Sequence, residues 1–327
     1  MKGKKVDKIF HNANIITLSD NNKFGEAIAI KNGKIKEIGP ERQILNKYRA
    51  DETIDVGGKE ILPTFTDCAA HLDSSLNNNY LSKFELNYLQ QGITKIHVHN
   101  INYSQLLKLD KFKNKMELEW YINVEPSKEN IEFIRKNKQQ LNSNFHIQGF
   151  TITNQNLFQI NEIVVISKNK HLQIGIDLNL AQQNISSILK LLQDYNQDHR
   201  WFVFNLSKIN KSTFEQIQKQ NLFFCHKEGE TKLNSMYCFG SNIDNFSIYK
   251  QLKTFVTKNN LEYIKSLKSI SNWASYLSFS ENINGSLSKG KDANFTILET
   301  PISTNPTLEN IYSNSTYIKG KKIYSME

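Results

Sequence analysis

Two imidazoles one residue apart are the first chemistry the sequence offers. In Ile96-His97-Val98-His99, the alternation of a β-strand puts both rings on one face. Imidazole nitrogens ligate divalent metals, and His71 could complete a three-imidazole set. A metal held so would lower the pKa of a bound water toward neutrality and polarise a carbonyl. The alternative is a pair of rings satisfied by polar neighbours, since no carboxylate base stands beside them in sequence. Cys225-His226, and Cys68 three residues before His71, offer nucleophile-and-base couples. Free cysteine is also among the most commonly buried side chains, so packing competes with that reading. Asp67, Glu125, Glu228 and Asp244 are acids near expected strand ends. A structural hydrogen-bonding role for Asp67 and solvated positions for the other three are the plain alternatives.

The elements that must position these groups follow from periodicity. Residues 7–62 read as short strands with turn punctuation. Asn32-Gly33 lies between Ala27-Ile28-Ala29-Ile30 and Ile35–Ile38, and Gly57-Gly58 lies between Thr53–Val56 and Glu60–Leu62; both read as hairpins. The last 45 or so residues look similar, with strands at Asn294–Leu298 and Ile311–Ile318 and a turn at Lys319-Gly320. Between them, strands and helices alternate. Strands are expected at Ile61–Cys68, Ile93–His99, Met116–Val124, Phe145–Ile152, His171–Leu178, Trp201–Leu206, Leu222–His226 and Tyr237–Gly240. Eight such units predict a closed parallel (β/α)₈ barrel. The predicted fold class is therefore α/β: a TIM-like barrel at 63–283 and a small β-sandwich built jointly by 1–62 and 284–327.

Composition sets the frame around this. A chain of 327 residues exceeds what one core usually fills, and 19 Phe, 13 Tyr and 3 Trp supply bulk. The net charge of +9 is spread along the chain, without the arginine–aromatic interleaving of single-strand binders, so nucleic acid is not the expected partner. Three scattered cysteines argue for a reducing compartment. No apolar run reaches membrane-spanning length, and a cytoplasmic protein with no membrane partner is expected.

Four segments, in order, resemble the amidohydrolase superfamily. They are the hairpin Ala27–Gly39; Ile54-Asp55-Val56-Gly57-Gly58-Lys59-Glu60-Ile61-Leu62-Pro63-Thr64-Phe65-Thr66-Asp67, which leads into the barrel; Gln173-Ile174-Gly175-Ile176-Asp177; and Gly285-Ser286-Leu287-Ser288-Lys289-Gly290-Lys291-Asp292-Ala293-Asn294-Phe295-Thr296-Ile297-Leu298, which returns to the sandwich. The resemblance implies hydrolysis of amide or other C–N bonds by one or two divalent metals such as zinc. It implies ligands at strand ends: His-x-His on strand one, Lys or Glu on strand four, single His on strands five and six, and Asp on strand eight.

This chain departs from that set. On strand one Ala69 stands at the first His and only His71 remains. Strand four carries neither Lys nor Glu, strand five has Asp177, strand six places its position at Val203, and strand eight has Asn242, an amide that takes no proton at neutral pH. Ala69, Val203 and Asn242 are thus lost-ligand positions, with Asn242 and Asp177 at the family's catalytic positions. The expectation is a degenerate member with no metal or other cofactor, a barrel mouth partly closed by side chains, and a role in binding a protein partner or small ligand. Homodimerisation is implied only by the resemblance. The alternative is an active hydrolase with a rearranged site on His71, His97, His99 and Asp177.

Overall fold

The structure, a computed structural model, describes residues 3–21, 24–73, 76–136, 141–142, 144–178, 185–192, 199–205, 211–219, 222–226, 237–241, 248–302 and 312–326. Its N-terminal elements are β1 (Lys4–His11), β2 (Asn14–Ile16), β3 (Phe24–Gly25), β4 (Ala27–Lys31), β5 (Lys34–Gly39), α1 (Glu41–Lys47), β6 (Tyr48–Asp55) and β7 (Glu60–Pro63). The middle of the chain alternates β8 (Phe65–Ala70), α2 (Asn78–Leu89), β9 (Ile93–Ile101), α3 (Tyr103–Phe112), β10 (Glu119–Val124), α4 (Lys128–Lys136), β11 (Phe145–Ile152), α5 (Ile160–Lys170) and β12 (Gln173–Asp177). It continues with α6 (Ile185–Leu192), β13 (Phe202–Phe204), α7 (Lys211–Lys219), β14 (Phe223–His226), β15 (Tyr237–Phe239) and α8 (Ile248–Lys258). The C-terminal strands are β16 (Phe295–Leu298), β17 (Ser313–Ile318) and β18 (Lys321–Ser325). The chain divides into two compact units, one of residues 1–66, 83–94 and 260–327 and the other of 67–82 and 95–259.

The first unit holds two sheets, ordered β5-β4-β1-β6 and β18-β17-β16-β7-β2-β3, so both ends of the chain share the second sheet. Phe10, Ile28 and Ile30 from one sheet and Ile15, Ile61, Phe295, Ile297 and Tyr317 from the other form one buried core. Phe10 meets Phe295 edge-on at 5.0 Å, and Phe295 stacks on Tyr317 at 4.7 Å. This is the sandwich packing that period-two patterning demands.

The Asn32-Gly33 hairpin forms, with both residues in the left-handed region (φ 51° and 71°) and Lys31 opposite Lys34. The second expected hairpin does not. β6 pairs in parallel with β1, while β7 pairs in parallel with β2. Gly57 and Gly58 (φ 68° and 77°) carry the chain from one sheet to the other, alongside the same crossing made at Asn12 (φ 51°). Val56 N–H donates to His11 O (2.9 Å) and Gly58 N–H to Asn12 O (2.7 Å), tying the two crossings together. A Gly-Gly pair permits the turn but does not choose the partner. For the same reason the expected strand Ile61–Cys68 is two strands, β7 and β8, separated at Thr64 and placed in different sheets.

In the second sheet system eight strands run β8 through β15 in sequence order, and the successive pairings from β9 to β15 are all parallel. They form a nearly closed barrel. Its two ends are clasped by Asp67, whose Oδ1 accepts from Ala69 N–H (3.0 Å) and Ser241 N–H (2.9 Å) and whose Oδ2 accepts from Ser241 Oγ. Gly240 lies against Ala69 so tightly that a Cβ there would sit 2.4 Å from Ala69 N. The helices carry local signals at their ends and on their buried faces. α3 opens on a capping box between Asn102 and Gln105, and α4 has Glu129 in its first turn, Arg135 and Lys136 in its last, and Ile131 and Ile134 buried. Among the described residues no helix is long and apolar enough to cross a membrane.

Candidate functional site

The barrel interior is defined by contacts that cross it. His99 on β9 stacks on Phe204 of β13 at 4.5 Å and lies 5.3 Å from Phe202, four strands away. Alternation then puts Lys95, His97 and His99 on the inner face. Their neighbours follow by register: Glu119, Tyr121 and Asn123 on β10, His146 and Gln148 on β11.

Toward the start of these strands the lining is ionic. Lys95 Nζ lies 3.0 Å from Glu119, whose Oε1 accepts from Tyr121 Oη (2.8 Å) and faces His146 Nε2 at 3.6 Å. Burial pushes the Glu119 carboxyl up, but the Lys95 charge and hydrogen bonds from His146, Tyr121 and Lys95 outweigh it and hold Glu119 well below the usual carboxylate range. Above this pair His97, Tyr121 and His146 stack face to face, at 4.9 Å and 5.0 Å. Burial drives His97 well below the ordinary imidazole range, with His99 and Lys95 adding to it, so His97 is neutral.

His99 is committed on both nitrogens. Nε2 lies 2.8 Å from Cys68 O, an atom that can only accept, so Nε2 carries the proton. Nδ1 is then the acceptor for Asn123 Nδ2 at 3.2 Å. Burial lowers the ring's pKa to about 4, against the smaller opposing effect of the Cys68 carbonyl. Cys225 Sγ also reaches Cys68 O, at 3.6 Å.

The expected site residues are not gathered into one centre. His71 is exposed beyond the end of β8, while His97 is fully buried in the stack. Asp177, buried at the end of β12, accepts from Asn205 Nδ2 at 3.0 Å. Ala69 is buried at the seam and offers no side-chain donor atom. Val203 needs correction: Phe202 and Phe204 share the inner face with His99, so alternation turns Val203 away and the inward strand-six position is Phe204. Cys225 is buried on β14, and the side chain of His226 lies outside the described residues. Glu125, at the end of β10, has its carboxyl raised by burial and by Glu129. Asn242, Asp244 and Glu228 lie outside the described residues.

Sequence reading missed the Cys68–His99–Asn123 bridge and the Lys95–Glu119–His146 group. The signal was present as polar residues at alternate positions on three successive strands. Among the described residues, the His99 position offers no uncommitted nitrogen to a divalent metal. Both His99 nitrogens are used, Ala69 and Phe204 supply no ligand atom, and among the described residues no three of His, Cys, Asp or Glu are grouped to hold a metal ion.

No protein-family model matches the chain. Imidazolonepropionase of Roseobacter denitrificans is 34% identical over 82 residues, covering 24% of this chain and 20% of that protein. The 5-methylthioadenosine/S-adenosylhomocysteine deaminase of Syntrophobacter fumaroxidans is 32% identical over 96 residues, 28% of this chain and 22% of that one. The chain thus spans only about a fifth of the length of the curated relatives it matches. Solved structures align along nearly the whole chain. An amidohydrolase from a Sargasso Sea environmental sample gives a TM-score of 0.74 at 11% identity, over 97% of this chain and 93% of that one. A zinc-bound adenosine deaminase of Xanthomonas campestris gives 0.71 at 12% identity over 99% and 94%, and E. coli guanine deaminase gives 0.68 at 14% over 98% and 99%. The chain thus shares the fold of these amidohydrolase and deaminase structures.

Proposed function

We propose that the chain is a catalytically degenerate amidohydrolase-fold protein, which binds no catalytic metal and acts by binding a protein partner or small ligand. The observation that carries this is His99. Its two nitrogens bridge Cys68 O and Asn123 Nδ2, and its ring stacks on Phe204, the neighbour of Val203, where the resemblance calls for a ligand on strand six. A metal would have to break both hydrogen bonds and sit against an aromatic face, with no compensating ligand among the described residues. Asp67, the acid nearest the strand-one position, is occupied as the barrel clasp. The intact eight-stranded scaffold supports a retained binding role, since a barrel presents its strand ends whether or not chemistry follows.

Elemental analysis of purified protein expressed in zinc-supplemented medium tests the reading. The expected result is far less than one zinc, iron or manganese per chain. A content near one per chain, released by both His71→Ala and His97→Ala, would replace this reading with the rearranged hydrolase.

A further inference from the structure

All three cysteines of the chain, 68, 225 and 238, lie together although the sequence scatters them. Cys225 on β14 and Cys238 on β15 are direct register partners on adjacent parallel strands. Cys225 Sγ lies 3.6 Å from Cys68 O, which places the third cysteine beside the pair. Each is at most 1% exposed. Neighbouring strands run roughly 4.8 Å apart, inside the Cα separation of roughly 4.4–6.8 Å that a disulfide spans.

We propose that Cys225 and Cys238 are a modification site, a dithiol that a peroxide converts to an internal disulfide linking β14 to β15, with Cys68 left as the third, unbonded thiol. The chemistry balances with hydrogen peroxide as the oxidant. One sulfur, as thiolate, attacks a peroxide oxygen. The O–O bond breaks, a sulfenic acid forms, and the hydroxide released takes up the thiol proton as water. The second sulfur displaces the sulfenic hydroxyl, which leaves as a second water, and the S–S bond closes. Two thiols and one peroxide give one disulfide and two waters; sulfur loses the two electrons that peroxide gains. Burial, reinforced by its thiol neighbours, raises Cys238 well above the ordinary thiol value, and burial pushes Cys68 up to about 11. Thiolate is therefore scarce at neutral pH, and the reaction is slow and quickens with pH.

The test treats the full-length protein with hydrogen peroxide, quenches it by alkylation in denaturant, and maps the peptides by mass spectrometry. The expected product has lost two alkylatable thiols, keeps one at Cys68, joins the Cys225 and Cys238 peptides, stays monomeric in non-reducing electrophoresis and reverts with dithiothreitol. Cys68→Ser should lose the same two thiols. Retention of all three thiols, over-oxidation to sulfinic acid without a disulfide, a bond to Cys68, or cross-linked chains would each overturn the proposal. The wild-type peptide map decides even where Cys238→Ser fails to fold.

Discussion

Replacing Asp67 by alanine removes the carboxylate that clasps the two ends of the barrel sheet. Asp67 is 0% exposed, and its oxygens accept from Ala69 N–H, Ser241 N–H and Ser241 Oγ. In the alanine variant both amides lose this acceptor in a site that water does not reach. Each buried donor left unsatisfied costs about 1–3 kcal/mol, so the two amides together give about 4 kcal/mol, with the Ser241 hydroxyl free to turn elsewhere. That is a large part of a typical domain stability of about 5–15 kcal/mol. Asp67→Asn keeps one carbonyl oxygen for the amides, and Ser241 Oγ can reverse its role and accept from the new amide. Its cost is therefore the lost charge assistance, about 1–2 kcal/mol. Urea unfolding followed by tryptophan fluorescence and far-ultraviolet circular dichroism measures both. The reasoning fails if alanine costs under about 1 kcal/mol, or if asparagine is as damaging as alanine.

Three further outcomes follow from the barrel interior. Lys95→Met leaves Glu119 facing the interior without its cation; because the Glu119 side chain keeps 24% of its exposure, the expected loss is about 2–3 kcal/mol in urea midpoint analysis, and Lys95→Met with Glu119→Leu should be less damaging than Lys95→Met alone. His99 titrates at about 4 in the folded chain, against about 6.5 when unfolded, so between those values the unfolded state binds the extra proton and stability falls as pH drops. That stability is present above about pH 6.5 and amounts to at most about 3 kcal/mol lost by pH 4; in unfolding curves across this range His99→Gln should flatten part of the slope, and an unchanged slope would refute the assignment. Restoring Ala69→His, Asp177→His, Val203→His and Asn242→Asp together should give at most weak zinc binding by calorimetry, because Val203 faces away from the interior and strand four still has no ligand.

Local rules were legible wherever a residue's own backbone decides the outcome. Asn32-Gly33 needs two positive φ values and obtains them in a hairpin. Lys319-Gly320 does the same between β17 and β18 (φ 49° and 72°). Gly57-Gly58 satisfies the same local requirement but leads elsewhere, because the partner of β6 is fixed by a neighbour more than forty residues earlier, β1, and not by the turn. The break at Thr64 is of this kind too. Pro63 stands just before the break, but the residues on both sides, Leu62 and Phe65, are apolar and fully buried, so the hydrophobic pattern runs on through it.

The interior of the barrel obeyed a rule the sequence does display, but only once the face was known. Period-two alternation says that Phe202 and Phe204 share a side and Val203 takes the other; it does not say which side is inward. That choice is made by closure, when β13 comes to face β9 and His99 meets Phe204. The same closure gives the two rings of a His-x-His motif different partners: His97 joins a ring stack with Tyr121 and His146, and His99 becomes a bridge between a backbone carbonyl and an amide. Identical residue types one step apart on one face thus end in different hydrogen-bond states. The difference comes from what stands opposite each ring, a tyrosine for His97 and a phenylalanine for His99, and those partners lie 24 and 105 residues away in sequence. A ligand motif is therefore a statement about a strand, whereas a metal site is a statement about the barrel, and what each imidazole does is decided by the ring that closure brings opposite it.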